Sequence, residues 1–458
     1  MKYGIKYIGG LLLGATMLIT TSCNKKLDVL PGTQVPTDQI KNENDIQAIL
    51  FGGYKSLQNY DGFGERFLFV TDLYTNNNVI YTGTFQNYAD VYSQTVAENS
   101  TIASGMWGNA YEGINGMNLV LSRLDLVSDA NKKAIEGEAK FIRSVFLFEL
   151  AGIYGLPYSN GNVTTNLAVP IMTKPVLSGD DLGESKKPRA TVDELYKQVI
   201  ADLKFAADNL PESYDTKKDM ARANKYAAHA FLSRVYLSMG DYKNAAEEAN
   251  TVIESGAYAL VPDWANEFNN TTFSTEDIFA ILQTSQSNAG TSNNGLVTFY
   301  SFDQRGEVLV DPAFVELYGD GDKRKSFYTV LDPETMTSNK WRDFYGTIPV
   351  IRLAEMYLTR AEANLRGGTT IGDTPLNDVN TVRTRSKAAP LTTVTADDVV
   401  NERRLELCFE GDDYWTNKRL KLNLGQLAYN ADKAVFPIPL RELQVNPLLK
   451  QNKGYREK

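Results

Sequence analysis

Residues 222–256 read RANKYAAHAFLSRVYLSMGDYKNAAEEANTVIESG, and this stretch sets the fold class. Leu232, Tyr236, Gly240-Asp241-Tyr242, Ala245 and Ala249 fall at the spacing of a tetratricopeptide repeat, a helix–turn–helix unit of about 34 residues. Gly240 permits the tight turn, Ala245 lets the two helices approach, and Tyr236 fills the seam between them. One such hairpin cannot bury its apolar face alone, so others must stack on it.

Working outward, a looser unit follows at 350–388, with Leu353, Tyr357, Ala361 and Ala363 in its first helix. Upstream, Ile46, Ile49, Leu50, Tyr54 and Leu57 share one helical face from Asn44 onward. The period returns at Trp107, Tyr111, Ile114, Met117, Asn118 and Leu121, and again through Glu138, Phe141, Val145, Phe148 and Leu150. Thr191 with Glu194 is a capping-box signature that opens a helix to about Asn209. These helices group into two further pairs, giving about four in all. The array is interrupted. Residues 72–105 lose the helical period and read as loops with short strands, and 155–190 are irregular. Residues 262–347 read as a loop-dominated insertion with strand-like pieces such as Ile278-Phe279-Ala280-Ile281-Leu282. A last helix is predicted over 396–410, then an extended tail containing Phe436-Pro437-Ile438-Pro439. The expected fold is mostly α: a tetratricopeptide-like superhelix of helical hairpins, with a loop-rich inserted region containing short strands.

The N-terminus carries Lys2 and Lys6, an apolar run from Ile8 to Ile19, and Thr20-Thr21-Ser22-Cys23. The run is short of the roughly 20 residues that span a bilayer. A small residue before a lone Cys is the pattern of a bacterial lipoprotein leader, which leaves Cys23 as the lipidated residue; Thr20 departs from the usual aliphatic position. A plain secretory leader is the alternative. The expected organisation is a leader at 1–22, a lipidated tether at 23–44, a repeat-bearing region at 45–261, the insertion at 262–347 and a C-terminal region at 348–458.

A net charge of −9 repels phosphate backbones and argues against a nucleic-acid partner. With Cys23 lipidated, Cys408 is left without a disulfide partner and reads as a small buried residue. The single histidine, His229, lies on a repeat helix and reads as packed, which leaves no material for a Ser-His-Asp triad or a histidine-rich zinc site. Asp320-Gly321-Asp322, with Asp311 nearby, lacks the spacing of a calcium loop and reads as capping or turn formation. No metal or cofactor site is expected.

Ordered motifs along the chain carry a resemblance. They include Trp107…Tyr111…Ile114…Asn118, Gly137-Glu138-Ala139-Lys140-Phe141-Ile142-Arg143, Tyr154-Gly155 and Pro188-Arg189-Ala190-Thr191-Val192. They continue with Gly240-Asp241-Tyr242, Ile351-Arg352-Leu353-Ala354-Glu355, Leu376-Asn377…Val382-Arg383 and Glu402-Arg403-Arg404-Leu405-Glu406-Leu407 with Phe409-Glu410-Gly411. Pro437-Ile438-Pro439 and Asn446-Pro447-Leu448…Gln451-Asn452-Lys453-Gly454-Tyr455 close the series, with Lys453 where a Pro is common. The set resembles the SusD/RagB family of outer-membrane nutrient-binding lipoproteins. The resemblance implies a non-enzymatic protein anchored by lipid in the outer membrane, facing the cell exterior. It implies capture of an oligosaccharide for a SusC-like, TonB-dependent β-barrel transporter. It also implies that most shared residues are structural, with Glu402, Arg403, Arg404, Glu406 and Glu410 joining the last helix to the array by charge-assisted bonds.

Only the location of a ligand site carries over, to the first loop and the insertion. A sugar needs an aromatic face for its C–H surface and amide, carboxylate or guanidinium groups for its hydroxyls. Tyr74, Asn76, Asn77 and Tyr81 offer that mixture in the first loop, and Gln283, Tyr300, Arg305, Trp341 and Tyr345 offer it in the insertion. Trp107 and Trp264 are assigned to packing. The alternative function is a surface glycoside hydrolase using a carboxylate pair, for which the 56 acidic residues supply candidates; a peptide-binding scaffold is a third reading.

Overall fold

The computed structural model describes residues 39–177, 181–214 and 221–456. The leader, Cys23 and the tether as far as residue 38 lie outside the described residues. The helices are α1 (Glu43–Gln58), α2 (Arg66–Thr75), α3 (Gln86–Tyr92), α4 (Thr101–Ser122), α5 (Asp129–Tyr154), α6 (Leu182–Ser185), α7 (Val192–Asn209) and α8 (Lys225–Met239). There follow α9 (Tyr242–Glu254), α10 (Leu296–Tyr300), α11 (Pro312–Val315), α12 (Leu353–Gly367), α13 (Pro375–Arg385), α14 (Ala396–Glu406), α15 (Asp412–Leu420) and α16 (Leu440–Val445). The strands are β1 (Val79–Tyr81), β2 (Asp277–Ile281), β3 (Val308–Val310), β4 (Tyr328–Asp332), β5 (Thr335–Ser338) and β6 (Ile348–Arg352).

Four hairpins build the array: α1 with α4, α5 with α7, α8 with α9, and α12 with α13. Each leans on the next through α4–α5, α7–α8 and α9–α12, which makes the stack continuous. The third hairpin forms as its residues require. Gly240 ends α8 at φ +75°, Asp241 caps α9 by accepting the Asn244 N–H, and buried Ala245 brings its carbonyl to 3.1 Å from the Ser233 hydroxyl. At α7 the Thr191–Glu194 capping box is reciprocal, and Asn42 with Asp45 forms another at α1. The last pair packs around Ala354, Leu358, Ala361, Val379 and Val382, with Val399 of α14 closing the cluster.

The interruptions are more ordered than the sequence predicts. Residues 72–105 contain the end of α2, β1, α3 and the start of α4. All of α2 is buried, so it has no polar face and no amphipathic period to reveal it. The last helix likewise ends at Glu406 rather than 410; Phe409 and Gly411 turn left-handed, and α15 follows where an extended tail is expected. The first loop and the insertion share a sheet of order β1-β3-β5-β4, with Val79 opposite Val310 and Tyr328 opposite Ser338. A second pair, β2 with β6, places Ile281 opposite Ile348 and feeds directly into α12. Lys41–Lys458 is one compact unit.

Among the described residues no helix is long and apolar enough to cross a membrane.

Candidate ligand platform

The structure divides the residues expected to meet ligand. Tyr74, Tyr81, Gln283, Tyr300 and Trp341 are at most 9% exposed, and their polar atoms are engaged inside the protein. Tyr74 donates to the Lys433 carbonyl, Tyr81 to Glu307 at 3.1 Å and Tyr300 to Asp72 at 2.8 Å. Gln283 bridges the Gly346 carbonyl and the Ala289 N–H, and the Trp341 indole donates to the Phe409 carbonyl at 3.1 Å. The expectation is corrected at these positions: Tyr300 and Trp341 tie the insertion to α2 and the 407–411 turn, Tyr81 ties β1 to it, Gln283 braces it from within, and Tyr74 holds the C-terminal tail. Asn76 is the left-handed C-cap of α2, with its side chain turned to the Tyr92 carbonyl. Asn77, Arg305 and Tyr345 reach the surface.

Around Tyr345 the chain is tied down from several sides. Asn269, itself at φ +62°, accepts the N–H groups of Arg342 (2.7 Å) and Asp343 (3.1 Å) and donates to the Asn339 carbonyl at 3.0 Å. Asp343 then accepts the Tyr345 N–H at 2.8 Å, while the Gly346 N–H closes the turn onto the Asp343 carbonyl at 3.0 Å. Tyr345, 37% exposed, therefore stands on a fixed turn. The Arg342 guanidinium lies 4.8 Å from the centre of the Phe302 ring, also 37% exposed, and pairs with Asp303. Arg305 is close by in the same 301–306 turn, held by Glu307 at 2.8 Å and set over Phe299. The candidate platform is thus two exposed rings on turns that Arg342 links, Phe302 lying under its guanidinium and Tyr345 following it by three residues, with the Arg342–Asp303 pair still facing solvent. Phe302, Asp303, Arg342 and Asn269 were missed from sequence. The available signal was local: Phe302 stands among Ser301, Asp303, Gln304 and Arg305, whereas Tyr300 ends the apolar run Leu296-Val297-Thr298-Phe299.

Asp311 and Asp322 cap the short helical turns that follow them, and Asp322 also pairs with Arg324 at 2.7 Å. Among the described residues no group of three or more His, Cys, Asp or Glu is placed to hold a metal ion. Cys408 is buried between the Tyr318 and Tyr328 hydroxyls, and burial pushes its thiol up. His229 meets Glu248 at 2.6 Å on the α8–α9 seam.

Residues 25–237 match the model of a family described as starch-binding, associating with the outer membrane, and residues 233–434 match that of the SusD family. The chain belongs to the SusD/RagB family. SusD-like protein P2 of Formosa agariphila is 27% identical over 99% of this chain and 100% of its own length. The starch-binding protein SusD of Bacteroides thetaiotaomicron is 34% identical over 24% of this chain and 22% of its own. A SusD superfamily structure from the same organism has a TM-score of 0.80 at 24% identity, covering 90% of this chain and 99% of its own.

In this SusD-type frame the shared motif residues are joints. Among the described residues Arg189 has no carboxylate partner; it donates to the carbonyls of Ala168, Leu167, Tyr154 and Lys450 and to the Asn452 side chain, clamping the 155–190 loop and the C-terminal signature to the end of α5. Arg352, with no exposed surface, binds Glu406 at 2.7 Å and Glu410 at 2.9 Å. Arg403 reaches Glu355 at 3.1 Å and Asp412 at 2.5 Å, and Glu402 pairs with Arg324 and Arg383. Burial works to raise the Glu406 carboxyl, but Arg385, Arg352 and Arg324 outweigh it and hold that group well below the usual carboxylate range.

Proposed function

We propose that this protein is a non-catalytic, cell-surface carbohydrate-binding lipoprotein that hands an oligosaccharide or polysaccharide to a SusC-like, TonB-dependent outer-membrane transporter. The observation carrying the ligand class is the preorganised Phe302–Arg342–Tyr345 platform: exposed rings for the C–H faces of sugar residues, with guanidinium and carboxylate groups at hand for hydroxyls. Binding to a surface fixed beforehand avoids the entropy of ordering it. The names of the related starch-binding proteins and the family description support the same ligand class. The leader and Cys23 motif support the lipid anchor.

The test is calorimetry of the leader-free protein against a panel of polysaccharides, with reducing-end release measured alongside. Heat of binding without release supports the reading. No binding across the panel, or release that stops when Asp303 or Asp343 is replaced by Asn, overturns it. For the partner, outer-membrane extraction in mild detergent is expected to retain a large β-barrel chain with the lipoprotein; recovery of the lipoprotein alone while other outer-membrane complexes survive counts against delivery.

A further inference from the structure

We propose that a second site, a cavity of about 610 Å³ between α4, the loop before α7 and α16, takes the apolar body of a small uncharged amphiphile. Its volume is that of small-molecule sites, which span roughly 300–1,000 Å³. Trp107, Pro170, Met172, Val176 and Leu449 supply apolar wall, and exposed Val445 extends it to the rim. Three polar side chains of the wall are spent on the protein itself. Tyr111 donates to the Pro170 carbonyl at 2.7 Å, Asn115 both donates to and accepts from the Val176 backbone, and Asn446 donates to the Lys187 carbonyl while accepting the Leu448 N–H. A polyol entering here gives up its hydration for few new partners, confined to the rim, whereas an alkyl chain or aromatic ring loses nothing. That chemistry separates the cavity from the Phe302–Tyr345 platform.

The head group follows from the two charged side chains among the described residues that line the cavity. Lys186 is exposed; Glu442 is partly buried and accepts from the Trp107 indole. Opposite charges leave no net charge to favour an ion of either sign, so a hydroxyl or similar neutral, dipolar head fits best. Gly108 offers the means of testing occupancy. It lies on α4 in the cavity wall, and a Cβ there meets nothing within 4 Å. A larger side chain can therefore grow into the cavity without displacing protein.

The experiment is fluorescence titration of the leader-free protein with N-phenyl-1-naphthylamine, a neutral apolar dye, with competition by 1-octanol, octanoate and glucose. Saturable one-site enhancement is expected, displaced by octanol, displaced less well by octanoate and untouched by glucose. Gly108→Leu is expected to weaken dye binding about tenfold or more by filling the space. Gly52→Leu, an open helical glycine on α1, is the control that leaves it unchanged. Non-saturable dye uptake, failure of octanol to compete with the wild-type protein, or equal dye affinity in Gly108→Leu overturns the proposal. The octanol competition needs no variant, so it decides the matter even if Gly108→Leu folds poorly.

Discussion

Asp72 is a carboxyl group placed where water does not reach it, and its surroundings make it a sensor of pH. It accepts the Tyr300 hydroxyl at 2.8 Å and the Gly411 N–H at 3.1 Å, yet burial, aided by the charge of Asp413, pushes it up to about 8. An unfolded Asp titrates near 3.9. Between those values the folded chain holds a proton that the unfolded chain has released. The stabilisation from this group is therefore complete below about pH 4 and lost as pH rises through about 8. Asp72→Asn, an isosteric change, removes that dependence. Urea unfolding at pH 5, 6, 7 and 8 is expected to show the variant gaining on the wild type by on the order of 1 kcal/mol per pH unit; parallel curves would falsify the assignment. The platform makes a contrasting prediction from the same kind of residue. Phe302→Ala and Tyr345→Ala are expected to weaken glycan binding about tenfold each, ~1.4 kcal/mol, with melting temperature unchanged. Trp341→Ala, four positions before Tyr345, removes a buried ring and is expected to cost about 3–5 kcal/mol of stability. Loss of binding in Trp341→Ala with full stability reverses the roles given to these aromatics.

Between elements, the docking of α15 on α5 turns on a single glycine. The Gly152 carbonyl accepts both the Lys418 ammonium, at 2.5 Å, and the Tyr414 hydroxyl, at 3.1 Å, while Trp415 stacks on Phe148 with ring centres 4.5 Å apart. A Cβ at Gly152 stands 1.8 Å from Trp415, so the indole must leave its stack to admit even a methyl group. Helix propensity favours Ala over Gly by about 1 kcal/mol, and overpacking opposes it by about 1–3 kcal/mol. Gly152→Ala is accordingly expected to melt below the wild type, whereas Gly52→Ala, with nothing near its Cβ, melts at or above it. Identical shifts in the two variants, read by calorimetry, remove the argument. This contact also marks what the sequence conceals. The hairpin helices are legible because each turns one face to a neighbour and one to water, as Thr191–Glu194 and Gly240 punctuate. α2 is not legible because every face is buried, and α15 is not because Asp412-Asp413-Tyr414-Trp415-Thr416-Asn417-Lys418 hides its apolar contacts among charges that are themselves paired or buried. For the platform, residue type suggested Tyr345 and Arg305 equally with Tyr300 and Trp341; only the fold, through strand pairings hundreds of residues apart, decides which rings face outward.

At the scale of the whole molecule, the question is whether residues 262–347 are an addition to a finished helical array or part of its core. Ile281 and Ile348 are direct partners, so residues 284–345 can be excised and the gap closed by a tight turn without stretching the chain. Several groups in the retained protein then lose their partners. β1 loses β3, Glu402 and Glu406 lose Arg324, and Glu410 loses Lys340. Asp72 loses Tyr300, and Glu65 loses the Gly295 N–H. Removing a hydrogen-bonded partner from a buried charged group costs about 1–3 kcal/mol, even where, as at Glu402, Glu406 and Glu410, an arginine remains beside it. The five side-chain losses together match the total stability of an ordinary domain, about 5–15 kcal/mol. The excised protein is therefore expected to show no cooperative melting transition and near-urea-denatured circular dichroism in the aromatic region, even where helical signal persists. A sharp transition within about 5 °C of the full-length protein, a shift on the scale of ~1 kcal/mol for a domain of ordinary size, means the array stands alone and the insertion is dispensable to it. The predicted result instead makes the ligand platform rigid for the same reason that the fold is stable: the loop carrying Arg342 and Tyr345 begins one residue beyond the Lys340–Trp341 pair that anchors it to Glu410 and Phe409.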